Sequence, residues 1–225
     1  MRSLLKDAKH VLEDWKRMPR YPVQEELLQT LIKRYPDNQD PDGVDLKVKC
    51  LNLFYSTGII ATKAMSDHIH QKGNDIDVAL KDGNPEVVKT IAKLALKGDN
   101  KRVNYSFATK YCALHQPNKY PIYDSIVADV FLTLLEKGML KDYPYSRTKC
   151  PNTYNRRSLG IIMRNYPDYL KLYDCFMKQY DLTSLSYREV DWYLWSAYKI
   201  GDHTYDIETL APIKREIAKV SLTKK

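Results

Sequence analysis

Apolar residues recur at spacings of three and four over most of the chain, which is the period of amphipathic α-helices. In the first segment Leu4, Ala8, Leu12 and Trp15 fall on one such stripe and predict a helix over residues 2–17. The same period predicts further helices to about residue 34 and over 46–57, 60–72, 75–80, 85–97, 105–115, 124–137, 153–165, 167–180, 190–199 and 206–219. No stretch alternates regularly enough to predict a sheet, so the pattern indicates an all-α protein of ten or so helices.

Helix-capping and helix-breaking residues set the boundaries of these elements. The stretch 35–43 contains Pro, Asp, Asn and Gly and is predicted to be a loop, after which Asp45 is expected to cap the next helix. Gly58 is expected to end that helix, since glycine commonly terminates helices. Ser186 and Glu189 form a capping-box pattern ahead of the helix over 190–199.

Charge and composition favour a nucleic-acid partner. The 225 residues include 36 Lys and Arg against 28 Asp and Glu, which gives a formal net charge of +8. A basic balance of this kind suits a polyanion. The 18 tyrosines against 4 phenylalanines suit stacking on bases or sugars. A place in the outer core is the commoner role of tyrosine and stays open as the alternative.

Cysteine spacing and the length of the apolar runs bear on metal, cofactor and compartment. The four cysteines are widely spaced with no Cys-x-x-Cys, so we predict no metal site and no cofactor. No apolar run is long enough for a signal peptide or a membrane span. The sequence therefore predicts a cytoplasmic protein with reduced thiols and no membrane partner.

The candidate chemistry lies in residues 105–125. Lys110 stands there in an otherwise apolar and aromatic stretch, and a lysine in such surroundings gives up its proton more readily and can act as a nucleophile. Asp124 follows at the predicted start of the next helix, where the helix dipole and free N–H groups favour an ionised carboxylate. The plainer alternatives are a lysine whose amine reaches solvent and an aspartate that only caps the helix.

The same residues carry a resemblance. Lys110, the loop through Tyr120-Pro121-Ile122-Tyr123-Asp124 and the helix after it resemble the core of the helix-hairpin-helix DNA glycosylase superfamily, nearest to its 8-oxoguanine DNA glycosylase-like branch. The segment Arg188 to Trp195 is similar to the late helix of small members of that branch. The apolar helix that ends in Tyr55-Ser56-Thr57-Gly58 could correspond to their early helix. The resemblance spans roughly residues 45–200 and is sharpest over about twenty of them.

The resemblance implies a fold and a reaction. It implies two helical lobes with a cleft between them, which we place at residues 45–137 and at 1–44 plus 138–225. It implies that the amine of Lys110 attacks C1′ of a nucleotide flipped out of double-stranded DNA, that a damaged or modified base leaves, and that a Schiff base forms. Asp124 would stabilise the sugar cation and help to move protons. Strand cleavage by an abasic-site lyase step can follow.

Further candidates surround this pair. Trp192 and Trp195 share a helix face and could sandwich a flipped base, although a place for both in the core is the favoured alternative. Candidates for contact with the base or nucleotide also include Asp191, Tyr123 and His115. Candidates for contact with the DNA backbone are Arg147, Lys149, Arg156, Arg157 and Ser106.

Two other functions stay open at this stage. The chain could be a non-catalytic nucleic-acid-binding protein of the same fold, in which case binding would weaken with salt and no base would be released. It could also be a helical interaction subunit of a defence system, with its positive charge serving only solubility. In each case we expect a monomer.

Overall fold

A computed structural model describes residues 3–94, 103–144 and 156–199 of the chain. The helix predicted over 206–219 and most of the polar connection 138–157 lie outside these residues. In the described part, eleven α-helices form and no strand does, apart from an isolated antiparallel bridge between Lys93 and Val103. The prediction of an all-α fold is therefore confirmed.

The helices follow one another along the chain, with longer connections between residues 92 and 105 and between residues 136 and 156. They are α1 (Leu5–Lys16), α2 (Tyr21–Arg34), α3 (Pro41–Tyr55), α4 (Thr62–Gln71), α5 (Gly73–Asp82), α6 (Glu86–Ala92), α7 (Tyr105–His115), α8 (Ser125–Glu136), α9 (Arg156–Met163), α10 (Tyr166–Gln179) and α11 (Tyr187–Lys199). The predicted helices over 105–115 and 124–137 agree with α7 and α8 to within a residue or two.

The start and end of α3 differ from the prediction. Asp40, not Asp45, caps this helix, because its Oδ1 accepts the backbone N–H of Gly43 at 2.7 Å and Pro41 occupies the first helical position. Asp45 lies within the helix and pairs with Lys49 at 2.6 Å. The helix ends at Tyr55, three residues before Gly58, and its C-cap residue Ser56 adopts the left-handed conformation with φ 48°.

Side-chain caps begin α8 and α11 as the sequence predicts. The Oδ1 of Asp124 accepts the N–H of Val127 at 2.8 Å. At α11 the capping box is complete: the N–H of Ser186 donates to Glu189 Oε2 at 2.8 Å, and the N–H of Glu189 donates to Ser186 Oγ at 3.2 Å. These bonds satisfy donors that a helix N-terminus leaves without intrahelical partners.

The chain divides into two compact units, which are described separately below. The central unit comprises residues 17–123, and the terminal unit comprises residues 1–16 together with 124–225. The predicted lobes had their boundaries at 44/45 and 137/138 instead.

In the central unit, α3 packs against α2, α4 and α7, and α6 packs against α5 and α7. The core of this unit consists of fully buried aliphatic and aromatic side chains, namely Val44, Val48, Leu51, Met65, Ile69, Ile76, Val88, Ile91, Phe107, Ala108 and Tyr111. α7 has the least exposed surface of these helices, since its residues 107–114 are all buried.

In the terminal unit, α11 packs against α1 and α8, and α9 packs against α8 and α10. Phe131 of α8 lies at its centre, with the rings of Tyr169, Tyr173 and Phe176 edge-on to it at centroid distances of 5.3–6.0 Å. The backbone N–H of Leu4 donates to the carbonyl of Tyr180 at 2.9 Å, which ties the start of the chain to this unit. Among the described helices, none combines the length and the apolar character needed to cross a bilayer.

Candidate functional site

Lys110 lies on the most buried helix of the central unit. Its side chain is 5% exposed, and its neighbours along α7 are buried as well. Lys110 therefore lies in two buried turns that are mainly apolar, whereas a lysine on a helix usually reaches solvent. The sequence predicted this environment from the apolar and aromatic character of the segment.

Polar and aromatic groups of the central unit hold the Lys110 amine. Nζ donates to Ser106 Oγ at 2.7 Å, one turn earlier on the helix, and to the carbonyl of Tyr123 at 3.4 Å. Nζ also lies 5.9 Å from the centre of the Tyr55 ring. The rings of Tyr105 and Tyr123 meet edge-on at 4.9 Å. The predicted site residues Ser106, Lys110 and Tyr123 thus come together.

Thr109 was not singled out by the sequence, yet it is fully buried beside this amine. Its hydroxyl accepts the backbone N–H of Tyr123 at 3.1 Å and donates to the carbonyl of Ser106 at 3.0 Å. The carbonyl of Tyr123 lies 3.4 Å from the same oxygen. The only sequence signal for this role is that Thr109 precedes Lys110 on a helix with little other polar character.

Asp124 belongs to the terminal unit, where its half-buried carboxylate caps α8. Burial raises the pKa of the Tyr169 and Tyr173 phenols well above the usual value, and the nearby carboxylates of Asp124 and Asp191 raise it further. The predicted site residues Asp124 and Asp191 therefore lie within electrostatic range of the same two buried phenols.

Asp191 makes a buried ion pair on α11. The Nη1 atom of Arg188 lies 2.9 Å from Asp191 Oδ2, and both side chains are at least 90% buried. The Arg188 guanidinium also lies 5.3 Å from the centre of the Trp192 ring. The Trp192 ring stacks on Trp15 of α1 at 4.0 Å, and both Trp192 and Trp195 are half-buried.

His115 closes α7 with its ring against Tyr111, at a centroid distance of 5.0 Å. Burial lowers the pKa of His115 to about 3, and the positive charge of Lys47 lowers it further, against a backbone hydrogen bond to Pro36 that raises it. Its Nε2 atom is buried and finds no hydrogen-bond partner among the described residues. At neutral pH this histidine is therefore an uncharged ring.

A second buried lysine, Lys47 on α3, was not predicted. It is fully buried, and Nζ donates to the carbonyls of Tyr35 and Asp37 at 3.2 and 2.6 Å and to Asn38 Oδ1 at 3.2 Å. The same Oδ1 accepts the Tyr111 hydroxyl at 2.5 Å. Burial lowers the pKa of Lys47 to about 8, against the charges of nearby aspartates, which raise it.

Asp77 and two tightly packed glycines, Gly43 and Gly73, complete this buried network. Asp77 accepts from the backbone and side-chain N–H groups of Asn38 at 3.0 and 2.6 Å. A Cβ at Gly73 would come within 2.5 Å of the Asn38 carbonyl oxygen, and a Cβ at Gly43 would come as close to the Tyr35 ring. The network fixes residues 35–40 against three helices.

The other predicted contacts to the DNA backbone are Arg147, Lys149, Arg156 and Arg157. Arg147 and Lys149 lie outside the described residues, and Arg156 and Arg157 begin α9 without described side chains. Within the described ranges, no three His, Cys, Asp or Glu side chains come together as a metal site would require.

Comparison with known proteins places part of the chain in a family. The family model HI_0787_N, described as an N-terminal domain, matches residues 7–119. An uncharacterized protein of Haemophilus influenzae is 31% identical over 144 residues, which make up 64% of this chain and 60% of that protein. The chain thus spans about 60% of the length of that curated relative. No solved structure matches the chain.

Proposed function

The chain belongs to the family HI_0787_N, and we propose that it is a DNA glycosylase whose nucleophile is Lys110 and whose carboxylate is Asp124. The observation that carries the proposal is the burial of Lys110, which is 5% exposed and whose amine lies near the Tyr55 ring and the Tyr123 carbonyl. An amine used as a nucleophile needs surroundings that disfavour its charged form. The family match includes this lysine, since it covers residues 7–119.

The proposed reaction begins with a nucleotide flipped out of double-stranded DNA, because C1′ is inaccessible inside the base stack. The amine of Lys110, having lost a proton to water, forms a bond to C1′ as the glycosidic bond breaks, and the base leaves with the electron pair of that bond. The bonded nitrogen gives up a proton, which the departing base takes up. The C1′–O4′ bond then opens with its electron pair going to O4′, which takes a proton from water, and a protonated Schiff base remains between Nζ and C1′.

Asp124 contributes to this reaction electrostatically. Its carboxylate is held at the N-terminus of α8 by the bond from Val127, and a helix N-terminus favours its ionised form. An ionised carboxylate stabilises the positive charge that develops on the sugar as the base leaves. The net charge of +8 gives the chain an attraction for the DNA backbone.

Trapping with borohydride tests the nucleophile, because this reagent reduces a Schiff base to a stable amine link. We expect the wild-type protein to cross-link to duplex DNA with an abasic site, and Lys110→Gln to lose the cross-link while remaining folded. Lys119→Gln is the matched control, since Lys119 is an exposed lysine of the same unit. A Lys110→Gln protein that cross-links as well as the control would rule out Lys110 as the nucleophile.

A second candidate function is a nucleic-acid-binding protein without base release. Two observations favour it: the Lys110 amine already bonds to Ser106 and to the Tyr123 carbonyl, and Asn104–Ala108 stand where the resembling superfamily carries a glycine hairpin. In this case Lys110 holds the middle of α7 to the segment before Asp124. Binding to duplex DNA would then weaken with salt, no base would be released, and Asp124→Asn would bind as the wild type does.

A further inference from the structure

Side chains of Ser106, Thr109 and Lys110 on α7 form a set of hydrogen bonds that holds both the backbone N–H and the backbone carbonyl of Tyr123. Lys110 Nζ joins Ser106 Oγ and the Tyr123 carbonyl, and the Thr109 hydroxyl joins the Tyr123 N–H and the Ser106 carbonyl. The Tyr123 backbone is thus held at its N–H by Thr109 and at its carbonyl by Lys110. All of these groups belong to the central unit.

The Thr109 hydroxyl has two possible acceptors for its single proton. The Ser106 carbonyl lies at 3.0 Å and the Tyr123 carbonyl at 3.4 Å. A hydroxyl can rotate so that its proton points to either acceptor. In both orientations its oxygen lone pairs can accept the N–H of Tyr123. The loss of a donor by a carbonyl that is largely shielded from water is unfavourable. Thr109 can therefore supply a donor to Tyr123 at the moment when another donor leaves.

We propose that Thr109 is a positioning residue for Lys110, an inference that rests on the proposed function. In the resting protein the Thr109 hydroxyl holds the backbone of Tyr123 at its N–H, and the carbonyl of Tyr123 in turn accepts a hydrogen bond from the amine of Lys110. When the amine moves to attack, the Thr109 hydroxyl turns from the Ser106 carbonyl to the Tyr123 carbonyl. The Tyr123 carbonyl then has the Thr109 hydroxyl as a donor after the lysine has moved away.

The chain offers a matched set of variants. Thr109→Val removes the hydroxyl and keeps the volume, and Thr109→Ser keeps the hydroxyl and removes a methyl group. Thr109→Ala is a second variant without the hydroxyl, for use where valine prevents folding. Thr133→Val is the control, because Thr133 is equally buried but its hydroxyl donates to the carbonyl of Asp129 within α8.

Two measurements test the proposal, and the first does not depend on DNA. Hydrogen exchange at the Tyr123 amide reports on its bond to Thr109. The splitting of the two Lys110 Hε signals in NMR reports on how firmly the amine is held by Ser106 and Tyr123. We expect Thr109→Val or Thr109→Ala to speed up this exchange and to merge the Hε signals, whereas Thr109→Ser and Thr133→Val leave both as in the wild type. Unchanged signals in the valine and alanine variants would overturn the proposal.

The second measurement is the single-turnover rate of borohydride trapping together with the affinity for DNA. We expect Thr109→Val to trap about ten-fold more slowly or worse with unchanged affinity, because small misplacements of a reacting group have large effects on rate. Thr109→Ser should restore the rate, and a serine variant as slow as the valine variant would overturn the positioning role. A wild-type protein that never traps would instead refute the proposed function, and the NMR result would still decide whether Thr109 holds Lys110.

Discussion

The indole rings of Trp15 and Trp192 stack with their centroids 4.0 Å apart and their planes 14° apart. This contact joins the first helix to the last described one, and Trp15 itself is 6% exposed. Since stacked aromatic side chains contribute beyond the area they bury, the pair is an anchor of the terminal unit. It also means that α1 belongs with residues near 190 and not with its neighbours in the sequence.

Removing the Trp15 ring should destabilise the protein strongly. We expect Trp15→Ala to lower the free energy of unfolding by about 3–5 kcal/mol, the usual cost of truncating a buried tryptophan. Trp15→Phe should cost less, because a ring remains to stack on Trp192. Urea unfolding followed by far-UV circular dichroism measures both. An alanine variant as stable as the wild type would mean that α1 does not depend on this contact.

Local signals in the sequence were sufficient for several elements of the fold. Asp124 caps α8 as predicted, because an aspartate two to three residues ahead of an apolar period satisfies nearby N–H groups wherever the helix packs. Ser186 and Glu189 form their capping box for the same reason. Interactions within one helical turn need no knowledge of the rest of the chain, so they can be predicted from the residues alone.

Interactions between distant segments could not be predicted in this way. The stretch 35–43 reads as a loop, and only the bond from Gly43 to Asp40 shows that α3 begins within it. Lys47 looks like a solvated helix residue, yet it is buried because the carbonyls of residues 35 and 37 fold back onto it. Trp192 was a candidate for base stacking, and its partner Trp15 lies 177 residues away.

The buried Lys47 predicts a rise of stability at alkaline pH. Its pKa is about 8 in the folded protein and 10.5 for a fully solvated lysine, so between these values the unfolded chain binds more protons than the folded one. Stability therefore increases as the pH rises from 8 to 10.5, by up to about 3 kcal/mol from this group. The measurement is the free energy of unfolding in urea at several pH values across this range.

Lys47→Met provides the comparison for this pH dependence. The variant should be less stable throughout, because it leaves the carbonyls of Tyr35 and Asp37 without their donor. It should also lack the part of the alkaline rise that Lys47 contributes, while other titrating groups act equally in both proteins. Parallel pH profiles for the two proteins would contradict the lowered pKa.

Gly73 should be intolerant of a side chain. A Cβ at this position would lie 2.5 Å from the carbonyl oxygen of Asn38, which is backbone and belongs to the buried network around Lys47. We expect Gly73→Ala to cost about 1–3 kcal/mol, as other forms of overpacking do. Gly160→Ala is the control, since nothing lies within 4 Å of its Cβ and alanine favours helices by about 1 kcal/mol. Thermal unfolding of both variants tests the contrast, and equal losses in the two would refute it.

Asp124 can be separated into its capping role and its proposed chemical role. Asn caps helices as well as Asp does, so Asp124→Asn should keep the stability of the wild type, whereas Asp124→Ala should lose about 0.5–2 kcal/mol. Asp40 is the matched control, because it caps α3 through an equivalent bond of 2.7 Å and is not a candidate for catalysis. Asp40→Ala should therefore be less stable than Asp40→Asn by about 0.5–2 kcal/mol, the same difference as expected between Asp124→Ala and Asp124→Asn.

Activity then distinguishes the two aspartates. If the carboxylate of Asp124 stabilises positive charge on the sugar, Asp124→Asn loses base release although it is folded, and Asp40→Asn retains base release. The stability series and the base-release assay use the same proteins, so a loss of base release in a stable Asp124→Asn variant cannot be assigned to unfolding. Equal activity of Asp124→Asn and Asp40→Asn would leave Asp124 as a helix cap alone and would favour the binding function.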